Sequence, residues 1–332
     1  MMKNKLLYIT ILFFVIGCEN DRDKKTKHID IKPIVVEPKI ERPDFNADSA
    51  YLFVQQQVDF GPRFPNNEAH GKCAKYLENK LKSYGLNTIT QVGKAKTFNN
   101  KEITIKNIIG AYNPDAKKRI LLFAHWDSRP FADQDVKDKT KPILGANDGA
   151  SGVGILIEVA RQLSLKKPKI GVDIIFFDAE DYGEPSGIKE DENSANTWCL
   201  GSQYWANNLH QINYTAEYGI LLDMVGASNA NFTMEGYSVD YAPEILQKVW
   251  DNARSLGYSN YFVSKKNNYI TDDHLFINKI TNIPSIDIIH SDKFTGSFHP
   301  SWHTHKDDMG VIDKATLSTV GEVLLYTIYT EN

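Results

Sequence analysis

The chain has 332 residues, of which 42% are hydrophobic and 24% charged. Its formal net charge is −4, and no run of lysines and arginines is interleaved with aromatics, which argues against nucleic acid as a partner. The folded part, from about Phe45 to the end, exceeds the usual single-domain size, yet α/β enzymes of that length often have one core.

Residues 1–17 read as a signal peptide. Lys3 and Lys5 precede an apolar run, Leu6 to Ile16, too short to span a bilayer comfortably. The run leads into Gly17-Cys18, an ending that resembles a bacterial lipobox. Cleavage there would leave a lipid on Cys18 and anchor the protein to the bacterial envelope without a spanning helix. An ordinary secretory signal is the alternative, and both export the chain. Residues 18–44 are charged, dotted with prolines and without helical period, so they read as a solvated tether. Residues 45–332 form the single catalytic domain. Cys73 and Cys199 remain for it; they could pair in an exported protein, but both flanks look helical and two free buried thiols are the preferred reading.

In chain order, Ser49 to Gln57 reads as a first helix with Asn46 or Asp48 as its cap. Asn66 to Tyr84 is an amphipathic helix ended by Gly85. Thr88–Val92 and Ile103–Tyr112 are strand-like, and Ile120–Ala124 is an unbroken apolar run of the kind found in central strands covered on both faces. A buried helix over Gly152–Leu165, a central strand over Val172–Phe177, a helix over Gly201–Asn208 and a strand over Tyr218–Met224 follow. Pro243–Leu256 is helical, Asp273–Ile280 a short helix, Ser285–Ile289 a strand and Lys314–Thr330 a closing helix. Strands alternating with helices predict an α/β three-layer sandwich, with a mixed, mostly parallel central sheet between helices. Segments 128–144, 184–198 and 291–301 are loops placed to wall a pocket.

Acids and histidines recur where these strands end: His125-Trp126-Asp127, Asn147-Asp148-Gly149, Asp178-Ala179-Glu180-Asp181, Leu222-Asp223 and Trp302-His303-Thr304. Strand ends followed by loops are where α/β proteins display reactive side chains. Each piece alone has an ordinary explanation, such as a helix cap at Asp148. Together, carboxylates and histidines at successive strand ends suit a metal such as Zn²⁺. Glu180 and Asp181 are adjacent and can point in different directions, so one can bind metal while the other carries protons.

Taken in order, Val58-Asp59-Phe60-Gly61-Pro62, His125-Trp126-Asp127, Gly145–Ala150, Glu180-Asp181 and His303-Thr304 resemble the M28 zinc aminopeptidase clan. Within it, Leu222–Ala227, Asp272-Asp273-His274 and Trp302-His303-Thr304 resemble the glutaminyl-peptide cyclotransferases. The resemblance spans about residues 45–330. It implies one zinc per chain on Asp148, Asp181 and His303, with Glu180 as acid/base and Asp223 and Asp272 as its acidic support. Trp302 becomes a pocket wall, with Trp126 as a second candidate and Trp198 a weaker one. The animal-type enzymes carry Glu where Asp181 stands and His where Asp287 aligns. Asp is an acceptable ligand; Asp287 is set at the pocket with its role open. His299 and His305 flank His303, and the Trp-His-Thr match favours His303.

The reaction implied is cyclisation of an N-terminal glutaminyl residue of a peptide or protein to pyroglutamate, with release of ammonia, by a monomer. The rival is a two-zinc aminopeptidase, with Asp148 bridging and His125 and Asp223 on the second metal. A third possibility, a binding lipoprotein on a dead hydrolase scaffold, would show itself by a lost ligand or acid/base, and all are intact.

Overall fold

The computed structural model describes residues 40–187 and 194–331. The expected signal peptide, Cys18 and the tether as far as residue 39 lie outside the described residues. Residues 40–44, expected to end the tether, lie on the domain: Ile40 packs against the core and Arg42 pairs with Glu322. The N–H of Phe45 also donates to Glu322 Oε1 at 2.8 Å.

Helix α1 (Ala47–Val58) starts where the Asn46 side chain accepts the N–H of Ser49. Asn67 caps α2 (Glu68–Ser83) in the same way through His70. The strands are β1 (Asn87–Lys96), β2 (Glu102–Tyr112), β3 (Arg119–His125), β4 (Gly171–Phe177), β5 (Gly219–Asp223), β6 (Phe232–Met234), β7 (Phe262–Lys266) and β8 (Ser285–Ile289). Six of them form one sheet in the order β1-β2-β4-β3-β5-β8, while β6 and β7 form a separate parallel ribbon. The β1–β2 and β2–β4 pairs are antiparallel; β4–β3, β3–β5 and β5–β8 are parallel.

The strand alternation divides the core. Leu122, Ala124, Ile174, Phe176, Ile220, Leu222, Ile286 and Ile288 pack beneath α1, α2, α3 (Ala150–Leu165), α6 (Pro243–Ser255) and α8 (Lys314–Thr330). Leu121, Phe123, Ile175, Phe177 and Leu221 face α4 (Leu200–Asn207) and Ile277 on the other side. Both faces are covered, which is why stretches such as Ile120–Ala124 in β3 and Ile174–Phe177 in β4 are unbroken apolar runs. Helix α3 passes very close to β5 because residue 152 is glycine: a Cβ there would sit 2.3 Å from the Leu222 carbonyl oxygen. That close packing seats the loop before α3, which carries Asp148.

The sheet, its layers and the main helices follow the expectation. The differences are short elements. The β6–β7 ribbon and α5 (Gly236–Tyr241) have too few residues to show a period. Helix α7 spans only Asp273–Phe276 and continues as a wide turn, Ile277–Thr281, instead of running regularly to Ile280. There the Asn278 side chain donates to the carbonyls of His274 and Ser285 and accepts the N–H of Ser285, which ties the segment to the start of β8.

Candidate active site

The parallel register sets the ends of β3, β4 and β5 side by side: His125 lies opposite Phe177, and Phe123 opposite Leu221. The chain therefore delivers His125 and Asp127, then Glu180 and Asp181, then Asp223 to one edge. Asp148 joins them from the loop before α3. Its N–H and that of Asn147 donate to the two oxygens of Asp307, at 3.0 and 2.8 Å. His303 comes from the loop before α8, with left-handed backbone at φ 55°.

The structure brings Asp148, Asp181 and His303 together, with one donor atom from each all within 4.8 Å of one another. His303 Nε2 lies 3.2 Å from Asp181 Oδ1 and 3.7 Å from Asp148 Oδ2. Asp181 Oδ2 is buried without a hydrogen-bond partner among the described residues. A buried orphan carboxylate oxygen beside a second carboxylate and an imidazole nitrogen fits a zinc ion held by these three residues. His303 Nδ1 is 3.3 Å from Asp133, whose carboxylate accepts from Arg129 Nε at 2.7 Å. The Trp302 indole stacks on the imidazole at 3.8 Å between ring centres.

Asp148 also faces a second group. His125 Nε2 lies 3.1 Å from Asp148 and 3.2 Å from Asp223, and these three again converge within 4.8 Å. Burial disfavours a charged His125, but hydrogen bonds to Asp127, Asp148 and Asp223 outweigh it and hold the imidazolium well above the usual range. Asp148 is pushed up to about 6, first by burial and then by the charge of Asp181. Burial also opposes ionisation of Asp181, yet His303 and Arg129 hold it below the usual carboxylate range.

Glu180 belongs to neither group. Its carboxylate clusters instead with Asp272 and the Cys199 thiol. Burial, then the charge of Asp272, raises its pKa well above the normal value, and burial with Asp223 does the same to Asp272. A carboxyl whose pKa is raised in this way is a better proton acceptor than an ordinary one, which suits proton transfer.

These side chains floor a cavity of about 520 Å³. Asp148, Glu180, Asp181, Asp223, Asp272 and His303 line it, and Trp198, Tyr269, Phe298 and Trp302 form its walls. The three loops read from the sequence contribute Asp133, Glu184 to Gly187 with Trp198, and Gly296 with Phe298. A fourth stretch, Asn268 to Asp272, had only Asp272 to announce it.

Two expected pocket residues are not at the cavity. Trp126 is fully buried, stacked on His70 at 4.5 Å between ring centres, with its Nε1 donating to the Lys106 carbonyl. It shares a strand face with Leu122 and Ala124, and that face packs on helices. Asp287 is also fully buried. It lies between Ile286 and Ile288 on β8, 3.9 Å from His274 Nδ1, and burial followed by the charge of Asp272 raises its pKa. It is a buried member of the acidic network.

Neither alternative histidine joins the metal groups. His305 is exposed and pairs with Asp135 at 3.0 Å, and His299 bonds Ser301 at 2.7 Å. Cys73 and Cys199 are free and buried, as read. Residues that sequence reasoning missed include Arg129, Asp133 and Asp307. Arg129 and Asp133 show only an ordinary four-residue charge spacing, and Asp307 only a loop acid.

The sequence model of peptidase family M28 matches residues 107–328. The chain belongs to peptidase family M28. A glutaminyl-peptide cyclotransferase from Dictyostelium discoideum is 26% identical, and the match covers 96% of each chain. The structure of Bacteroides thetaiotaomicron glutaminyl cyclase bound to N-acetylhistamine superposes with TM-score 0.85 at 51% identity, covering 88% of this chain and 100% of that one. A Zn-dependent exopeptidase from Parabacteroides distasonis superposes with TM-score 0.84 at 49% identity, covering 87% and 99%. Within M28, therefore, this chain is similar to proteins named for two different reactions.

Proposed function

We propose that this chain is a zinc-dependent glutaminyl-peptide cyclotransferase, converting N-terminal glutaminyl residues of peptides and proteins to pyroglutamate with release of ammonia. The observation that carries the reading is Glu180, a buried carboxyl with a raised pKa that faces the cavity beside the Asp148–Asp181–His303 group without joining it. The likeness to the Bacteroides enzyme supports the same conclusion.

Asp148, Asp181 and His303 would hold one zinc, which supplies polarisation of the γ-carboxamide and stabilises charge developing on its oxygen. Glu180 takes a proton from the attacking α-amine. A bond forms from that nitrogen to the γ-carbon, the bond from the γ-carbon to the amide nitrogen breaks, and Glu180 returns the proton to the nitrogen that leaves as ammonia. Asp272, whose pKa is raised by burial and then by the charge of Asp223, lies beside it and with Asp223 keeps that proton exchangeable. The aromatic walls fold the glutamine side chain back on its own amine, which is largely a positioning task.

We place the protein in the bacterial envelope, exported and lipid-anchored at Cys18, acting as a monomer on glutaminyl peptides. The test is incubation of the purified soluble domain with a glutaminyl peptide, following both ring formation and ammonia. Both should appear together, stop on chelation and return with zinc. Release of free glutamine from the peptide would overturn the reading.

One observation favours a second reading, a two-zinc aminopeptidase: His125, Asp148 and Asp223 also converge. Two tightly bound zinc ions with peptide hydrolysis would establish it.

A further inference from the structure

Cys199 stands at the start of α4 with left-handed backbone, φ 55°, a conformation that suits glycine far better than a side chain with Cβ. Its neighbours explain what the side chain does. The Cys199 N–H donates to the Glu180 carbonyl at 2.9 Å, and the Leu200 N–H to the Ala179 carbonyl at 3.0 Å. The thiol then donates to Glu180 Oε1 at 3.1 Å. From the other side Asp127 accepts the N–H of Glu180. Glu180 is thus fixed through its N–H, its carbonyl and one carboxylate oxygen, and among the described residues the thiol is the one hydrogen-bond donor to that carboxylate. Burial beside Glu180 keeps the thiol protonated, so it remains a donor.

We propose that Cys199 is a positioning residue for the cyclisation. Its S–H pins Oε1 of Glu180 so that the other oxygen is presented to the substrate's nitrogens. The proposal rests on the reading of Glu180 as acid/base. It gives a buried thiol that neither pairs nor binds the metal group a role in turnover. A left-handed cysteine retained for packing alone would be improved by glycine; one retained for its donor would not.

The experiment compares Cys199→Gly, Cys199→Ala and Cys199→Ser, each with and without Glu180→Gln, by steady-state kinetics on a glutaminyl peptide, with melting temperature and zinc content as controls. Cys199→Gly and Cys199→Ala should each lower kcat about tenfold, the size expected for one lost hydrogen bond to a charged group, with KM and zinc content little changed. Cys199→Gly should do so while melting at or above wild type, and Cys199→Ser, which keeps a donor, should recover most of kcat. Combined with Glu180→Gln, none should reduce the residual rate further. Full kcat in Cys199→Gly, or an equal loss in the Glu180→Gln background, overturns the proposal and leaves the cyclase reading standing. Full activity of Glu180→Gln removes the role of Glu180, and this proposal with it.

Discussion

Asp127 holds Glu180 by its main chain: Asp127 Oδ1 accepts the Glu180 N–H at 3.1 Å, while Oδ2 takes that of Asp181 at 3.3 Å. One carboxylate thus aims both the proposed acid/base and a proposed metal ligand. Asp127→Ala should weaken zinc binding by about 10- to 100-fold, the usual cost of losing a group that orients a ligand. Chelator competition measures this, and zinc affinity equal to wild type would count against the arrangement.

Glu180→Gln should keep zinc and lose about 10²- to 10⁴-fold in kcat, because the amide cannot shuttle the proton. His303→Ala should lose the metal itself. Metal analysis beside kinetics separates the two, and a zinc-free Glu180→Gln would show that Glu180 is a ligand.

Trp302 and Trp126 should part company. Trp302 lines the cavity and stacks on His303, so Trp302→Ala should raise KM and lower kcat together. Trp126 is core, so Trp126→Ala should cost about 3–5 kcal/mol of stability by leaving a cavity, and Trp126→Phe, which keeps most of the ring, should keep KM near wild type. Denaturant melts and Michaelis kinetics on both residues decide it.

One zinc per chain is expected, and His125→Ala should retain it, since His125 lies with Asp223 on the far side of Asp148. Loss of a second equivalent of zinc in His125→Ala would favour the aminopeptidase.

Glu235 gives a pH prediction away from the cavity. It caps α5 through the N–H groups of Tyr237 and Ser238 and bonds His274 at 2.9 Å. Burial opposes its ionisation, but His274 and the N–H groups of Ile270 and Ser238 outweigh it and lower its pKa from 4.5 to about 2. The unfolded chain therefore takes up this proton first as pH falls. The stabilisation is complete above the unfolded value and disappears as pH drops through the folded one; its size is on the order of 3 kcal/mol. Glu235→Gln should be markedly less stable than wild type at neutral pH, with the gap narrowing as pH falls below about 4.5 and closing near about pH 2. A gap that stays constant with pH would contradict it.

Much of this was legible because β3, β4 and β5 are buried on both faces and their apolar runs lead into Asp127, Asp178 and Asp223. The Asp148 loop announced itself by its glycines, Gly145 and Gly149, both at positive φ. Trp126 was misplaced although strand parity held the answer: Leu122, Ala124 and Trp126 share one face, and His125 takes the other. Parity likewise turns Asp287 away from Ile286 and Ile288. Asp133 and Asp307 were not legible, because their partners, His303 and the Asn147-Asp148 main chain, come from segments far away in sequence.

The three residues of the metal group sit on three separate loops, and none is in place until the parallel strands have paired. An unfolded or half-assembled chain therefore offers zinc no comparable site. The ion becomes a reporter of completed folding: at about a thousandfold excess over its dissociation constant it would add roughly 4 kcal/mol to the native state alone. A compartment that withholds zinc would not merely silence the enzyme; it would shorten the protein's lifetime.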